Sequence, residues 1–306
     1  MITVSVKRYR TRLIDLPSTT CLYIFKYVYQ QRQYDLYRLL NKIMTKDNFT
    51  EKTIRKALSL KTFGKNLLFL LTTVSTMNEA RSLVADNAHE GTLIIADEQT
   101  EGKGRFNRNW ISPSGVNLYV SLILRPPTEV FAHLAIITSL ALARVIREII
   151  PQNKIVSIKW PNDLRINKKK VAGILIENYI GDHQNQNYSI IGIGINVNSE
   201  PDKVSEISGI ATSIFQETGN LTIRTALLRS FIGELENLYL AVLAGNTMTD
   251  EWKTYLDNIG DKITVKWDNN IYIGVAEDID TNGNLILKLL DGSTKTLPAG
   301  EVTLNT

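Results

Sequence analysis

The chain has 306 residues, of which 43% are hydrophobic, 22% charged and 8% aromatic, and its net charge is +4. These values are typical of a globular protein with room for a main domain of about 200 residues and smaller attachments. A single cysteine, Cys21, excludes an internal disulfide framework and a cysteine-based zinc site, and it favours a cytoplasmic location. No apolar run reaches the roughly eighteen residues that span a bilayer.

The charge is unevenly distributed along the chain. Residues 1–60 hold twelve Lys and Arg against four Asp and Glu, a net charge of +8, whereas the remainder holds twenty-three against twenty-seven, a net charge of −4. A basic head on a slightly acidic body raises nucleic acid or a membrane surface as its partner. The head is not typical of a signal peptide, because Lys26 interrupts its apolar stretch and no small-residue cleavage site follows.

Residues 1–47 form a basic extension that holds six of the twelve tyrosines. Leucine and isoleucine spacing predicts a helix around residues 33–45. A capping-box-like pair, Asn48 and Glu51, then predicts the start of a short helix with Ile54 on its apolar face.

Residues 65–258 alternate strands and helices, and residues 48–258 are predicted to form one domain. Strands are predicted at residues 67–74, 92–96, 116–124, 155–160, 171–178 and 188–195. Helices are predicted at residues 76–84, 132–150, 223–244 and 248–257. The pattern indicates an α+β fold, a mixed β-sheet backed by helices.

Residues 259–306 change to an all-β pattern. Ile263, Val265 and Trp267 alternate with polar residues, and Asn282-Gly283 and Asp291-Gly292 are strong hairpin turn signals. The sequence therefore predicts a separate C-terminal β module, a small barrel of SH3-like size.

The segment from Gly102 to Trp110 places two glycines around a lysine, with Arg105 and Arg108 following. Glycines let backbone N–H groups approach an anion closely, and nearby cations neutralise a polyphosphate. The spacing is not that of a P-loop. Taken alone, the pattern fits a solvated basic loop at least as well.

Three later segments carry further polar groups. In Lys159-Trp160-Pro161-Asn162-Asp163 the proline keeps Trp160 extended, so a strand ends there in a turn, where catalytic side chains are often presented. The other two segments are residues 168–177 and 191–198. Each segment also has a purely structural explanation. The first can be an ordinary turn at Asn162-Asp163, and the second a charged hairpin tip at the lysine triplet. The third can be a buried strand whose glycines permit close packing.

Together, and in this order, these motifs resemble those of the biotin–protein ligase family. The matching pieces are Ser-Thr-Met-Asn at 75–78, Gly-Lys-Gly-Arg-x-x-Arg-x-Trp at 102–110, Ser-Pro-x-Gly-x-Asn-Leu-Tyr at 112–119, Lys-Trp-Pro-Asn-Asp at 159–163, Lys-Val-Ala-Gly-Ile-Leu-Ile-Glu at 170–177 and Gly-Ile-Gly-Ile-Asn-Val-Asn at 192–198. The resemblance covers roughly residues 65–306. It implies a class II synthetase-like, biotinyl/lipoyl transferase-like catalytic domain over 48–258 and an SH3-like domain over 259–306.

The resemblance also implies an activity. The enzyme would use ATP, with Mg²⁺, to convert biotin to biotinyl-5'-AMP, and would then transfer biotin to a lysine of a biotin carboxyl carrier protein of acetyl-CoA carboxylase or a related enzyme. The resemblance implies no membrane partner. It leaves the oligomeric state open, and a homodimer is one possibility.

Roles carry over by position. Catalytic roles fall to Arg105 and Lys170 at the phosphates, Lys103 and Arg108 on a closing loop, and Asp163 beside them. Biotin contacts fall to Ser75, Thr76, Gln99, Gly102, Lys103, Gly104, Arg105, Gly115, Lys170 and Gly173. Adenylate contacts fall to Arg105, Arg108, Trp110, Asn162, Lys170 and Asn196. No metal ligand is assigned.

The sequence departs from the family pattern at two positions. Lys103 stands where many relatives have arginine, and lysine lacks the bidentate fork, so adenylate retention is expected to be weaker. Met77 separates Thr76 from Asn78, which makes the role of Asn78 harder to carry over.

Two rival functions follow from the same motifs. One is a bifunctional ligase and DNA-binding repressor of the biotin operon; the other is a lipoate–protein ligase. Residues 1–64 lack a compact three-helix pattern with a β-hairpin wing, so DNA binding is not expected. The glycine loop and Lys-Trp-Pro-Asn-Asp favour biotin over lipoate.

Overall fold

The structure is a computed structural model that describes residues 48–298, except 59 and 182–185, and residues 301–304. The N-terminal extension and its predicted helix lie outside the described residues. Within them the chain forms two β-sheets, a larger one backed by helices and a smaller one near the C-terminus.

The larger sheet has seven strands. They are β1 (Leu67–Thr73), β2 (Thr92–Gln99), β3 (Leu118–Leu124), β4 (Val156–Lys159), β5 (Asp163–Ile166), β6 (Lys169–Tyr179) and β7 (Tyr188–Ile195). Their order is β1-β2-β3-β7-β6-β5-β4. Only β1 and β2 pair in parallel; every other neighbouring pair is antiparallel. This is the mixed sheet that the sequence predicts.

Among the described residues, six α-helices accompany the sheet. They are α1 (Glu51–Ala57), α2 (Thr76–Ala85), α3 (Leu134–Ile149), α4 (Ile214–Thr218), α5 (Arg224–Leu243) and α6 (Thr249–Tyr255). Helix α2 packs on one face of the sheet, and α3 packs on the other, against α5 and α6. Because both faces are covered, every residue of β3 is buried.

The segment Thr128–Ile149, which contains α3, is long and apolar enough to cross a membrane by length and composition, but 72% of its most apolar window is buried inside the protein. Its apolar side chains serve the core, and Thr138 and Ser139 satisfy their hydroxyls on carbonyls of the preceding turn. It is therefore the central core helix of the sheet.

The start of one helix differs from the sequence prediction, and a second helix is capped by the residue before it. The N-cap of α1 is Thr50, which forms a capping box with Thr53, so the proposed start at Asn48 is wrong. The N-cap of α2 is Ser75, whose hydroxyl accepts a hydrogen bond from the Met77 N–H. Thr76 is thereby released from capping, and its hydroxyl faces the sheet.

The smaller sheet has five antiparallel strands. They are β8 (Lys262–Trp267), β9 (Asn270–Ile279), β10 (Leu285–Leu289), β11 (Thr294–Leu297) and β12 (Glu301–Leu304), in the order β11-β10-β9-β8-β12. The first turn uses Asp268 and Asn269, with φ of 49° and 61°. Gly283 and Gly292 turn with positive φ, as the hairpin signals predict.

A buried carboxylate fixes the entry to the large sheet. Glu236 of α5 is 3% exposed, and its two oxygens accept hydrogen bonds from the backbone N–H groups of Lys61, Thr62 and Phe63 at 3.1, 2.6 and 2.8 Å. These N–H donors lie just before β1, in a segment that is not part of a strand and so has no neighbouring strand to accept their hydrogen bonds. The carboxylate therefore replaces a strand partner for this segment.

We expect Glu236→Ala to lower the free energy of unfolding by about 3 kcal/mol, because buried N–H groups lose their acceptor. Urea unfolding followed by circular dichroism measures the change. Glu148→Ala, at an exposed position of α3, is the matched control and should alter stability little. Equal stability of the two variants would contradict this role for Glu236.

Candidate active site

A cavity of about 620 Å³ lies over β6 and β7, beneath the glycine-rich segment that precedes β3. Its floor contains Gly173 of β6 and Gly194 of β7. The indole of Trp110 lies so close to Gly194 that a methyl group at that position would overlap it, and a methyl group at Gly173 would lie 3.0 Å from Trp110 Cζ3. The glycines of these strands thus make room for the tryptophan.

The glycine-rich segment is a tight hairpin. The Gly104 N–H donates to the Arg108 carbonyl at 2.7 Å, and the Trp110 N–H donates to the Gly102 carbonyl at 2.8 Å. Phe106 forms the tip with φ of 55°, and its side chain is 55% exposed. The predicted basic loop is therefore ordered by its own backbone hydrogen bonds. These bonds fix the backbone positions from which its cationic side chains extend.

Cations dominate the cavity wall. Six cationic side chains and one carboxylate, Asp163, are among the described residues that line it; the cations are Lys103, Arg105, Arg108, Lys159, Arg165 and Lys170. Lys170 Nζ lies 2.7 Å from Asp163 Oδ1 and 5.2 Å from the centroid of the Trp110 ring. Such an excess of positive charge is suited to an anionic ligand.

Partial burial adds to this effect. Burial lowers the pKa of Arg105, helped by the nearby charge of Arg108 and opposed by Asp163. Burial also lowers the pKa of Lys159, together with the neighbouring charge of Arg165. A lowered pKa means that the cation is disfavoured without a counter-ion, so a bound anion would relieve both groups.

The turn after β4 brings the two sides of the cavity together. Arg105 Nη1 donates to Asn162 Oδ1 at 2.9 Å, and Asn162 Nδ2 donates to the Ile174 carbonyl at 2.6 Å. Asp163 then opens β5, a strand that the sequence reading missed. The Lys-Trp-Pro-Asn-Asp segment therefore connects the hairpin to β6.

The opposite end of the cavity is neutral and polar. Gln99 Oε1 accepts from the Thr76 N–H at 2.9 Å and from Thr76 Oγ1 at 3.1 Å, while Gln99 Nε2 donates to Ser112 Oγ at 3.0 Å. Ser121 of β3, which the sequence reading missed, donates to Thr76 Oγ1 at 2.9 Å. This end offers both donors and acceptors to a neutral polar group.

Asp97 of β2 organises the turn after the hairpin. Its Oδ2 accepts from Ser114 Oγ at 2.5 Å and from the Gly115 N–H at 2.9 Å, and its Oδ1 accepts from Arg224 Nη1 at 2.7 Å. Burial disfavours the Asp97 carboxylate, but the hydrogen bonds from Ser114 and Arg224 outweigh that effect and lower its pKa. Arg224 also lies over the Phe49 ring, 4.2 Å from its centroid.

All but two of the predicted site residues line the cavity. Gly115 lies in the Asp97 turn outside it, and Gly102 borders a second cavity of about 880 Å³ on the other side of the hairpin. The structure brings the rest together; their individual roles stay predictions. They are Ser75, Thr76, Gln99, Lys103, Gly104, Arg105, Arg108, Trp110, Asn162, Asp163, Lys170, Gly173 and Asn196.

The sequence reading missed two other parts of the wall. Ile207, Ile210 and Ala211 come from the segment before α4, which docks on Lys170 through backbone hydrogen bonds to Ile210 and Thr212 at 2.9 and 2.8 Å. Val302 of β12 adds a contribution from the smaller sheet. Apolar residues in an irregular segment and in a distant module carry no local signal of a shared cavity.

Trp160 attaches the smaller sheet to this site. It is 1% exposed, its Nε1 donates to the Gly283 carbonyl at 2.9 Å, and its backbone N–H donates to Asn258 Oδ1 at 3.1 Å. The Trp160–Pro161 peptide bond is cis. The residue immediately before the Asn162 turn is thus held by the β9–β10 hairpin.

Comparisons with known families identify two matching regions. A model described as the Biotin/lipoate A/B protein ligase family matches residues 71–196, and one described as the Biotin protein ligase C terminal domain matches residues 259–304. The first region contains the glycine hairpin and the cationic wall, and the second contains the five-stranded sheet.

Named relatives cover most of the chain. It is 34% identical over 264 residues to the Bifunctional ligase/repressor BirA of Bacillus subtilis, a match that covers 85% of this chain and 79% of that protein. It is 30% identical over 244 residues to the Biotin--[acetyl-CoA-carboxylase] ligase of Paracoccus denitrificans, covering 76% of this chain and 98% of that protein.

Solved structures share the fold. The biotin protein ligase from Aquifex aeolicus in complex with biotin and ATP matches with a TM-score of 0.67 and 27% identity, over 79% of this chain and 99% of that one. The biotin protein ligase from Leishmania major in complex with biotinyl-5-AMP matches with a TM-score of 0.52 and 25% identity, over 76% and 98%.

We expect Trp160→Phe to lower the free energy of unfolding by roughly 2 kcal/mol, because the half-buried Gly283 carbonyl loses its donor. Thermal or urea unfolding measures the effect. Trp267→Phe, at a half-buried position of β8, is the control and should cost less. If the two variants were equally stable, the indole hydrogen bond would not be what holds the module.

The lowered pKa of Asp97 predicts a pH dependence of stability. A carboxylate with a depressed folded-state pKa stabilises the fold above about pH 4 and loses that contribution as the pH falls through its folded-state pKa. The difference in unfolding free energy between the wild type and Asp97→Asn should therefore shrink as the pH falls from neutral into acid. Asp86→Asn, at an exposed position, should show no comparable trend; a constant difference for Asp97→Asn would contradict the assignment.

Proposed function

Because the chain belongs to the biotin protein ligase family, we propose that it catalyses ATP-dependent formation of biotinyl-5'-AMP and transfer of biotin to a lysine of a carrier protein. The observation that carries this proposal is the cavity with two unlike ends. Arg105 and Lys170 lie at its cationic end, and Thr76 and Gln99 lie at its neutral polar end. A ligand with a polar uncharged ring and a carboxylate to be activated fits this arrangement.

In the first step, an oxygen of the biotin carboxylate bonds to the α-phosphorus of ATP, and pyrophosphate leaves. An anion approaches a polyanion, so the protein contributes mainly alignment and charge neutralisation. Arg105 is held by Asn162, and Lys170 by Asp163, so both cations are positioned before ligands bind. Preorganised cations need little rearrangement as charge shifts during the reaction.

The biotin ring is assigned to the polar end. Its ureido group has donors and an acceptor, which match the Gln99 amide and the Thr76 hydroxyl. These side chains bond one another in the structure, so ring binding exchanges internal hydrogen bonds for bonds to the ligand. The Trp110 Nε1 is buried without a hydrogen-bond partner among the described residues, and it offers a further donor inside the cavity.

In the second step, the carrier lysine amine bonds to the acyl carbon of the adenylate, and AMP leaves with the electrons of the broken bond. The amine must lose a proton, and Asp163 is the carboxylate among the described residues that line the cavity. In this step Asp163 both holds Lys170 and is the protein's candidate proton acceptor. The carrier proposed is a biotin carboxyl carrier protein of acetyl-CoA carboxylase or a related enzyme.

Mg²⁺ is proposed to accompany ATP. The described residues contain no group of three or more His, Cys, Asp or Glu side chains placed to hold a metal ion. Mg²⁺ commonly uses one or two carboxylates together with substrate phosphates and water, and Asp163 fits a single such ligand. When bound, the ion would add to the neutralisation of phosphate charge.

The division of labour within the chain is part of the proposal. Residues 48–258 are assigned to catalysis, residues 259–306 to the attached β module, and the enzyme is placed in the cytoplasm. DNA binding is not included, because the motifs that support the function lie outside the basic head.

We expect the purified chain to exchange labelled pyrophosphate into ATP when biotin is present and not when lipoate is present. Mass spectrometry of a carrier domain incubated with the chain, ATP and each acid then tests transfer. An increase in carrier mass with biotin alone supports both steps. Exchange with lipoate alone would contradict the biotin assignment.

Lys170→Ala should lower the exchange rate by about 100-fold, because a cation that faces the developing charge is lost. Lys169→Ala is the matched control: its side chain points away from the cavity towards Asp202, and its loss should change the rate little. An unchanged rate in Lys170→Ala would remove this residue from the proposed mechanism.

A further inference from the structure

The two cations on the first arm of the glycine hairpin point to different partners. Arg105 reaches Asn162, whereas Lys103 Nζ donates to Asn78 Oδ1 of helix α2 at 3.3 Å. Lys103 is therefore directed to the helix that carries Ser75 and Thr76. The hairpin is held on both sides of the cavity, once through each cation.

Asn78 is itself fixed by a second interaction. Arg81, one turn further along α2, donates from Nη1 to Asn78 Oδ1 at 2.6 Å. The same guanidinium binds Glu177 of β6 through two hydrogen bonds, of 2.8 and 2.6 Å. Arg81 accepts no hydrogen bonds, so it orients the amide oxygen of Asn78 and holds it where Lys103 can donate.

The hairpin separates two cavities. Lys103 borders both the cavity of about 620 Å³ and the neighbouring one of about 880 Å³, which Arg81 and Glu177 also line. Asn78 lines neither cavity, so its contact holds Lys103 from outside them. If the hairpin moved away, a ligand in the first cavity would gain a second way out.

Because residue 103 is a lysine, its contact with Asn78 matters more for holding the side chain in place. A lysine is a flexible point charge with three donors, and it lacks the planar fork by which an arginine holds an anion. One donor used on a fixed partner restricts the side chain and leaves two for a ligand. The amide of Asn78 supplies such a partner.

We propose that Asn78 is a positioning residue that anchors the glycine hairpin through Lys103 and so slows the escape of the acyl-adenylate. The inference rests on the proposed function, since it concerns how long the intermediate of that reaction stays bound. It assigns Asn78 no contact with substrate. Its effect is expected on retention of the intermediate rather than on affinity for biotin.

The test measures release of biotinyl-5'-AMP from the full chain after loading with biotin and ATP and rapid dilution. Asn78→Ala should raise the dissociation rate about fivefold, as expected for loss of one hydrogen bond of ordinary strength, because the contact is long and exposed. The KM for biotin in pyrophosphate exchange should stay within twofold of the wild type. Ser82→Ala, on an exposed position of the same helix, is the matched control.

Two further variants show whether the effect passes through Lys103. Lys103→Gln should also raise the release rate, and combining it with Asn78→Ala should add little, because both changes break one contact. Asn78→Asp keeps an acceptor oxygen and should retain the adenylate as well as the wild type does. If Asn78→Ala does not fold, Asn78→Asp and Lys103→Gln still test the anchor.

Release at the wild-type rate in Asn78→Ala would overturn the inference, as would fast release in Asn78→Asp or fully additive effects in the double variant. These results differ from a failure of the proposed function. If the wild type formed no adenylate from biotin and ATP, the proposed function itself would be wrong.

Discussion

The hydrogen bond from the Trp160 indole to the Gly283 carbonyl joins the two sheets at the point where the site is built. Trp160 is buried, and the next residues form the turn that holds Arg105 through Asn162 and Lys170 through Asp163. An indole buried among apolar residues needs an acceptor, and the β9–β10 hairpin supplies it. The position of the catalytic turn therefore depends on a module that is remote in sequence.

Charge is the second constraint on the site. Six cations and one carboxylate among the described cavity-lining residues leave a strong positive excess, and burial lowers the pKa of Arg105 and of Lys159. Such a wall destabilises the empty protein slightly and becomes favourable when phosphate oxygens arrive. The pairings with Asn162 and Asp163 keep the cations in place without cancelling most of their charge.

Sequence reasoning succeeded where the signal is local. The apolar spacing of α3, the turns at Gly283 and Gly292, and the mixed sheet were all predictable, because period and turn chemistry are written in neighbouring residues. Thirteen of the fifteen site residues that the family resemblance predicted line the cavity. The role of Gly194 was predicted in part. The sequence predicted close packing at this glycine, but it did not predict that Trp110 is the residue packed there.

The features that the sequence did not predict depend on short elements or on contacts between residues that are distant in the chain. Strand β5 has four residues that mix Asp163 and Arg165 with two buried aliphatics, which is too short for a period to show. Val302 and Ile207 reach the cavity only through tertiary packing. Ser75 and Thr76 are equally good caps by residue type, so only the backbone conformation decided that Ser75 caps and Thr76 faces Gln99.

The strand order has a consequence for how the chain folds. Strands β1 to β3 and strands β4 to β7 each pair with their neighbours in sequence, but the two groups meet only where β3 pairs with β7, with Leu118 opposite Ile195. Contacts between distant segments pay loop-closure entropy before they gain packing energy, so this pairing is expected to form late. Thr76 and Gln99 belong to the first group, and Lys170 and Asp163 to the second. A functional cavity therefore exists only after the sheet has closed, and recovery of activity during refolding would time that closure.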